Sequence, residues 1–388
     1  MPIYQQRGQL PRKRHVVFRQ PDGSLHPEEL IGNKGFTGPA SLLYHLRQPT
    51  TVKSVRGLGD LRWESDPDRT LRHRHFRAAR LKGGPSPVLD RVPLLFNADV
   101  ALSLATPDRG DDFFYRNGQG DELLYVDQGS GALETPLGRL AFGPGDYVVI
   151  PRGILHRYEL GEGPWRFLVI ESAGYVRTPK RYRNEHGQLV EGAPFCERDL
   201  RAPQELETRD ERGDFKLVVK MHNRLTEMVL GHHPCDVVGW DGYYYPWALN
   251  IRDFEPLVGR IHLPPPVHQT FEGDGFVVCS FVPRPFDFDP QAVPAPYNHA
   301  NVMSDEVLYY ASSQFMSRKG IEQGSITLHP DGLPHGPQPG RTEESIGAKW
   351  TDELAVMVDT FRPLMVGRQA LAVEDEAYMQ SWLGDAAR

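Results

Sequence analysis

Three residues in the second half of this sequence, His299, Glu306 and His335, offer two imidazoles and one carboxylate. Side chains of these types bind divalent transition metals at neutral pH. His335 closes the segment Gly324-SITLH-Pro330-D-Gly332-LP-His335. An earlier segment, Gly145-DYVVI-Pro151-R-Gly153-IL-His156, has the same form, G-x5-P-x-G-x2-H, and lies 179 residues upstream. Before each copy stands a second matched stretch, Tyr115-R-Asn117-GQG-Asp121-Glu122-LLYV and His299-A-Asn301-VMS-Asp305-Glu306-VLYY. These two stretches align with each other without a gap, so His299 corresponds to Tyr115 and Glu306 to Glu122, while the closing motif pairs His335 with His156. The first half keeps one imidazole and one carboxylate, too few donors for a tight divalent site. The second half keeps three.

Such donors need a frame, and the rest of the chain predicts one made of strands. Thirty-four prolines and thirty-eight glycines divide it into short segments. Between them recur apolar runs rich in β-branched and aromatic residues: Leu123-LYV, Tyr147-VVI, Phe167-LVI, Phe276-VVCSFV, Val307-LYY and Ile326-TL. Helical periodicity is confined to 353–359 and the tail at 374–383. An all-β chain of this kind closes its sheets into barrels or jelly rolls, which removes exposed edges. The doubled pattern resembles the second sequence motif of the cupin barrels, whose closing His is a metal ligand. The resemblance implies a bicupin: all-β, two double-stranded β-helix (jelly-roll) barrels and few short helices. Residues 1–175 would hold a metal-free barrel, and residues 176–388 the metal-binding barrel and a short helical tail. In that frame His299, Glu306 and His335 form the facial triad of non-haem Fe(II) oxygenases, with positions open for substrate and dioxygen. Asp305 is the alternative carboxylate, since it shares strand parity with His299. Glu306 is preferred because its repeat partner Glu122 keeps the cupin spacing to Gly129.

The second half further resembles the homogentisate 1,2-dioxygenase family, in Asp236-VVGWDG, Tyr245-Pro246-W, Pro296-YNHANVMSDE, Gly324-SITLH and Pro334-His335-Gly336-Pro337. The likeness is strong over residues 230–340 and covers 95–175 as the metal-free partner barrel. It implies Fe(II), an aromatic acid substrate and O2, with ring opening as the reaction. It also implies His262 as acid/base, with His268 as its competitor, and His329 as the His just outside the last ligand. Substrate contacts would come from Tyr310, His329 and His335. Phe315 stands where the family carries a substrate-contacting Tyr. Arg284, Arg252 or a neighbouring subunit would meet the substrate carboxylate. A homo-oligomer, trimer or hexamer, is expected. The other classes considered are a different metal-dependent cupin enzyme and a non-catalytic ligand-binding bicupin.

Composition sets outer bounds. A length of 388 residues suits two domains. A net charge of −7 gives no electrostatic footprint for nucleic acid. No apolar run approaches the roughly 20 residues that span a bilayer, and the basic N-terminus lacks the apolar stretch of a secretory leader. Three scattered cysteines, Cys196, Cys235 and Cys279, read as reduced thiols of a cytoplasmic protein. His73-x-His75, in a run of arginines, is expected on a solvated basic or inter-subunit face. His232-His233 is expected in a loop with no shared ligand role.

Overall fold

The computed structural model describes residues 3–383, and all six runs singled out above form strands, with only Val282 falling past the end of one. The first barrel is built on a seven-stranded sheet with Asp121–Gln128 near its centre, flanked by Asp146–Ile150 and Arg166–Ser172. A three-stranded sheet, Gly138–Phe142, Gly131–Thr135 and Arg157–Leu160, belongs to the same half. The second barrel rests on a six-stranded sheet in which Ala355–Thr360 lies between Phe276–Phe281 and Asp305–Tyr310. Every side chain of Asp305–Tyr310 and Ile326–His329 is buried. The large sheets stand back to back. Tyr125 and Tyr309 approach to 6.0 Å between ring centroids, and the Tyr147 hydroxyl meets Ser280 Oγ at 2.8 Å. One continuous apolar cluster runs through both barrels.

The halves also exchange strands. Trp247–Asn250, late in the chain, pairs with Asp146–Ile150 of the first barrel. Arg74–Phe76, early in the chain, pairs with Ile326–His329 of the second. Met365–Val366 returns to pair with Val92–Phe96.

The doubled motif has a direct structural reason. Gly153 and Gly332 sit at φ 83° and 76°, a left-handed conformation that favours glycine. Each donates its N–H across the barrel, Gly153 to Asn117 O at 2.8 Å and Gly332 to Asn301 O at 2.7 Å. The turn then delivers the closing His into a two-residue bridge, His156 with Tyr115 and His335 with His299.

Two expectations are corrected. Residues 353–359 read as helical, but Ala355–Thr360 is a central strand. Its good helix formers are overruled by burial between two partner strands. His73 and His75 do not face solvent: they are 5% and 1% exposed. Arg74 between them is buried too, and its ion pairs with Asp66 (2.7 Å) and Glu374 (2.7 Å) let that basic stretch enter the interior. Among the described residues no helix is long and apolar enough to cross a membrane.

Candidate metal centre

His299, Glu306 and His335 converge, their ligand atoms lying within 4.8 Å of one another. Glu306 Oε2 is 3.6 Å from His299 Nε2, and Oε1 is 3.5 Å from His335 Nε2. In both imidazoles Nδ1 faces a backbone carbonyl, Tyr297 O at 3.2 Å and Leu333 O at 3.0 Å. A carbonyl only accepts, so each Nδ1 carries the proton and Nε2 presents its lone pair inward. His335 Nε2 is buried and has no hydrogen-bond partner. Burial would raise the Glu306 carboxyl, but the surrounding imidazoles hold it well below its ordinary range, so it is an anion. Two inward lone pairs and a buried carboxylate fit a divalent transition metal.

Asp305 has another task. Its two oxygens accept the backbone N–H groups of Asp331 (2.8 Å) and Leu364 (2.7 Å). Asp121, its repeat partner, does the same for Arg152 (2.8 Å) and Val176 (2.9 Å). This aspartate ties strand to loop in both barrels, and the glutamate after it faces inward.

In the first barrel that glutamate meets a fixed cation. Arg91 Nη2 lies 2.8 Å from Glu122 Oε2, and Asn117 Nδ2 donates to Oε1 at 2.9 Å. Burial would raise Glu122, yet Arg91 holds it at about 2. His156 Nε2 is also without a partner, but here a guanidinium already supplies the neighbouring positive charge. Ile150 stands where the second barrel has His329, opposite Glu122 in the ladder as His329 is opposite Glu306.

A cavity of about 380 Å³ opens onto His299 and Glu306. Apolar and aromatic side chains including Phe281, Leu308, Phe315 and Met357 form much of its wall. His262 and His268 both line it. His262 is exposed, its ring 5.1 Å from that of Tyr297, which is 6.3 Å from the ring of His299. His268 is buried against Phe281, and burial drives its imidazole down to about 3.

Tyr310 and His329 are not part of this wall. The Tyr310 hydroxyl meets Thr327 at 3.0 Å, and its ring packs edge-on against Phe315, which takes the place on the cavity. His329 lies just outside the triad, its Nδ1 2.7 Å from Glu306 Oε1 and its ring stacked on His335 at 4.6 Å. Arg284 reaches the wall, paired with Glu353 at 2.8 Å, whereas Arg252 does not.

Two wall residues escaped the sequence reading. Arg318 is a buried guanidinium that donates to Gly336 O at 2.7 Å and forms no ion pair with a carboxylate among the described residues. Asp359 faces Glu306 across the ladder, its Oδ1 buried without a partner, and burial and then the Glu306 charge push its carboxyl upward. Only tertiary pairing brings these two to the cavity.

A second cluster, Glu134, His233 and Cys235, is also close enough to hold an ion. Here His233 Nδ1 accepts the Cys235 N–H at 3.1 Å, and Arg157 donates twice to Glu134 Oε2 at 2.9 and 2.6 Å. Its donors are engaged with the protein itself.

A sequence profile described as Homogentisate 1,2-dioxygenase N-terminal matches residues 98–251. The protein named "Putative dioxygenase SSO1533", from Saccharolobus solfataricus, is 43% identical over 390 aligned positions, covering 98% of this chain and 99% of that one. The chain belongs to the homogentisate 1,2-dioxygenase family. Two proteins named homogentisate 1,2-dioxygenase, from Bradyrhizobium diazoefficiens and Rhodopseudomonas palustris, are 29% and 27% identical to it. Each alignment covers 97% of this chain and 90% of the relative. The family profile falls on the barrel with Arg91 and Glu122 at its heart. The triad lies outside that profile, in the stretch covered by the full-length relatives.

Proposed function

We propose that this protein is an Fe(II)-dependent ring-cleaving dioxygenase that converts homogentisate and O2 to maleylacetoacetate, a step of tyrosine and phenylalanine breakdown. The observation that carries the reading is the convergence of His299, Glu306 and His335, the first two of which line a cavity with several apolar and aromatic side chains, in a chain of this family. Bound there, Fe(II) would supply open positions for phenol and dioxygen and a path for electrons between them.

The chain's own residues supply the rest. His262 accepts the phenolic proton, because its exposed ring can pass that proton on to solvent. His268, held neutral at about 3, is too weak a base for the task. Arg284 and Arg318 make the wall attractive to a carboxylate. Phe281, Phe315 and Met357 grip a ring and exclude water.

Phe315 supports a second reading of the substrate. It is on the cavity wall and lacks the hydroxyl that the family carries at this position, which favours another dihydroxyphenyl acid. The test is oxygen uptake by anaerobically purified, iron-loaded protein with a small panel of dihydroxyphenyl acids, read together with product spectra. Stoichiometric zinc and no O2 consumption with any member would overturn the dioxygenase reading in favour of another metal-dependent cupin enzyme.

A further inference from the structure

The wall behind the triad comes from the two ends of the chain. From the N-terminal side, His73 Nε2 faces Pro334 O at 3.1 Å, and its ring lies 5.8 Å from that of His335. From the C-terminal side comes the 3₁₀ turn Tyr378–Trp382. Trp382 Nε1 donates to Gly336 O at 3.2 Å, and Ser381 Oγ accepts from Gln338 Nε2 at 2.7 Å. The Tyr378 hydroxyl lies 3.2 Å from His329 Nε2.

This last contact has a fixed direction. An ionised Glu306 can only accept, so His329 Nδ1 carries the proton in their 2.7 Å contact. The Arg318 guanidinium, which can only donate, faces His329 Nε2, so that nitrogen presents a lone pair. Two donors face it: the Tyr378 hydroxyl at 3.2 Å and, further off, Arg318 Nη2 at 3.4 Å. A chain of two hydrogen bonds therefore runs from the tail through an imidazole to a carboxylate of the triad. The first barrel, with Ile150 in the place of His329, lacks this device.

We propose that Tyr378 is a positioning residue of the metal centre, acting through His329 on Glu306, so that the C-terminal tail sets how tightly the triad holds its ion. This rests on the reading of His299, Glu306 and His335 as ligands. Outer hydrogen bonds fix the orientation of a ligating carboxylate, and their loss typically lowers metal affinity about 10–100-fold. The hydroxyl of Tyr378 is the group at issue, not its ring.

The test is titration of the metal-free, full-length protein with Co²⁺ in competition with a chromophoric chelator. Y378F is expected to bind Co²⁺ about tenfold more weakly. Y147F, which removes a buried hydroxyl on Ser280 remote from the triad, is expected to match the parent. In an H329Q background the Tyr378 hydroxyl has no imidazole to act on, so adding Y378F should then change affinity little. Parent-like affinity in Y378F, or an equal loss in both backgrounds, would reduce the tail to packing and overturn the proposal. A parent protein that binds no Co²⁺ would overturn the ligand assignment, and this proposal with it.

Discussion

Arg91 sets its Nη2 2.8 Å from Glu122 Oε2, so the repeat partner of Glu306 is neutralised by a permanent guanidinium. The two barrels share a strand ladder, a glycine turn and a buried glutamate. They differ in what faces that glutamate: one covalently attached cation in the first barrel, and imidazoles beside an open cavity in the second.

Arg91→Met strands the Glu122 carboxylate in the interior. Removing one member of a buried pair typically costs about 3–5 kcal/mol, and a denaturant midpoint at pH 7 should show it. Glu122 sits at about 2, below its ordinary 4.5, so its contribution is present above pH 4.5 and fades as pH falls toward 2. The stability gap between the parent and Glu122→Gln should therefore narrow on acidification. A gap that widened would contradict the pairing.

Metal content separates the two barrels. His299→Ala and His335→Ala should each abolish stoichiometric iron while the circular dichroism stays that of the parent. His156→Ala should leave iron content unchanged, because Arg91 and not an ion faces Glu122. Iron lost from His156→Ala would place a metal in the wrong barrel for the whole reading.

His262→Ala should lower kcat by about 10²–10⁴ through loss of proton transfer, with iron content intact. His268→Ala, which changes packing against Phe281, should lower it less. The opposite order, measured on iron-loaded enzyme at saturating substrate, would transfer the role to His268.

His45 is wedged between Asp236 (Nδ1–Oδ1 2.7 Å) and Glu29 (Nε2–Oε2 3.1 Å). Burial works against its charge, yet the two carboxylates hold it at about 9, above the ordinary 6.5. Its contribution is thus complete below pH 6.5 and lost as pH rises through 9, on the order of 3 kcal/mol in all. The cost of His45→Gln in urea unfolding should be greatest near pH 6 and smallest near pH 9.5. A cost that is flat with pH would show that the imidazole folds uncharged.

What the sequence made legible was local. The six apolar runs are short, bounded by turns and rich in β-branched residues, and each became a strand. The convergence of His299, Glu306 and His335 was legible because the repeat aligned each with a counterpart, which also set Tyr115 against His299. Choosing Glu306 over Asp305 needed the repeat as well as parity, since a left-handed residue at Met303 (φ 64°) interrupts the alternation. Arg91, Asp359 and Tyr378 were not legible. Their relation to a glutamate is fixed by pairing between separate strands and by the path of the tail, which no local pattern encodes. His73 and His75 misled for the same reason: the carboxylates of Asp66 and Glu374 that draw their stretch inward lie on either side of it, one of them near the far end of the chain.

The exchanged strands bear on how such a chain matures. Arg74–Phe76 leaves the ribosome long before Ile326–His329, the strand that pairs with it. The first barrel likewise waits for Trp247–Asn250 to cover Asp146–Ile150. The first half therefore cannot finish during its own synthesis, and the second barrel closes only when an early segment meets a late one. Assembly therefore couples the age of the chain to its order: Arg74–Phe76 waits unpaired until Ile326–His329 emerges, and a product that stops short of that strand leaves an early edge uncovered.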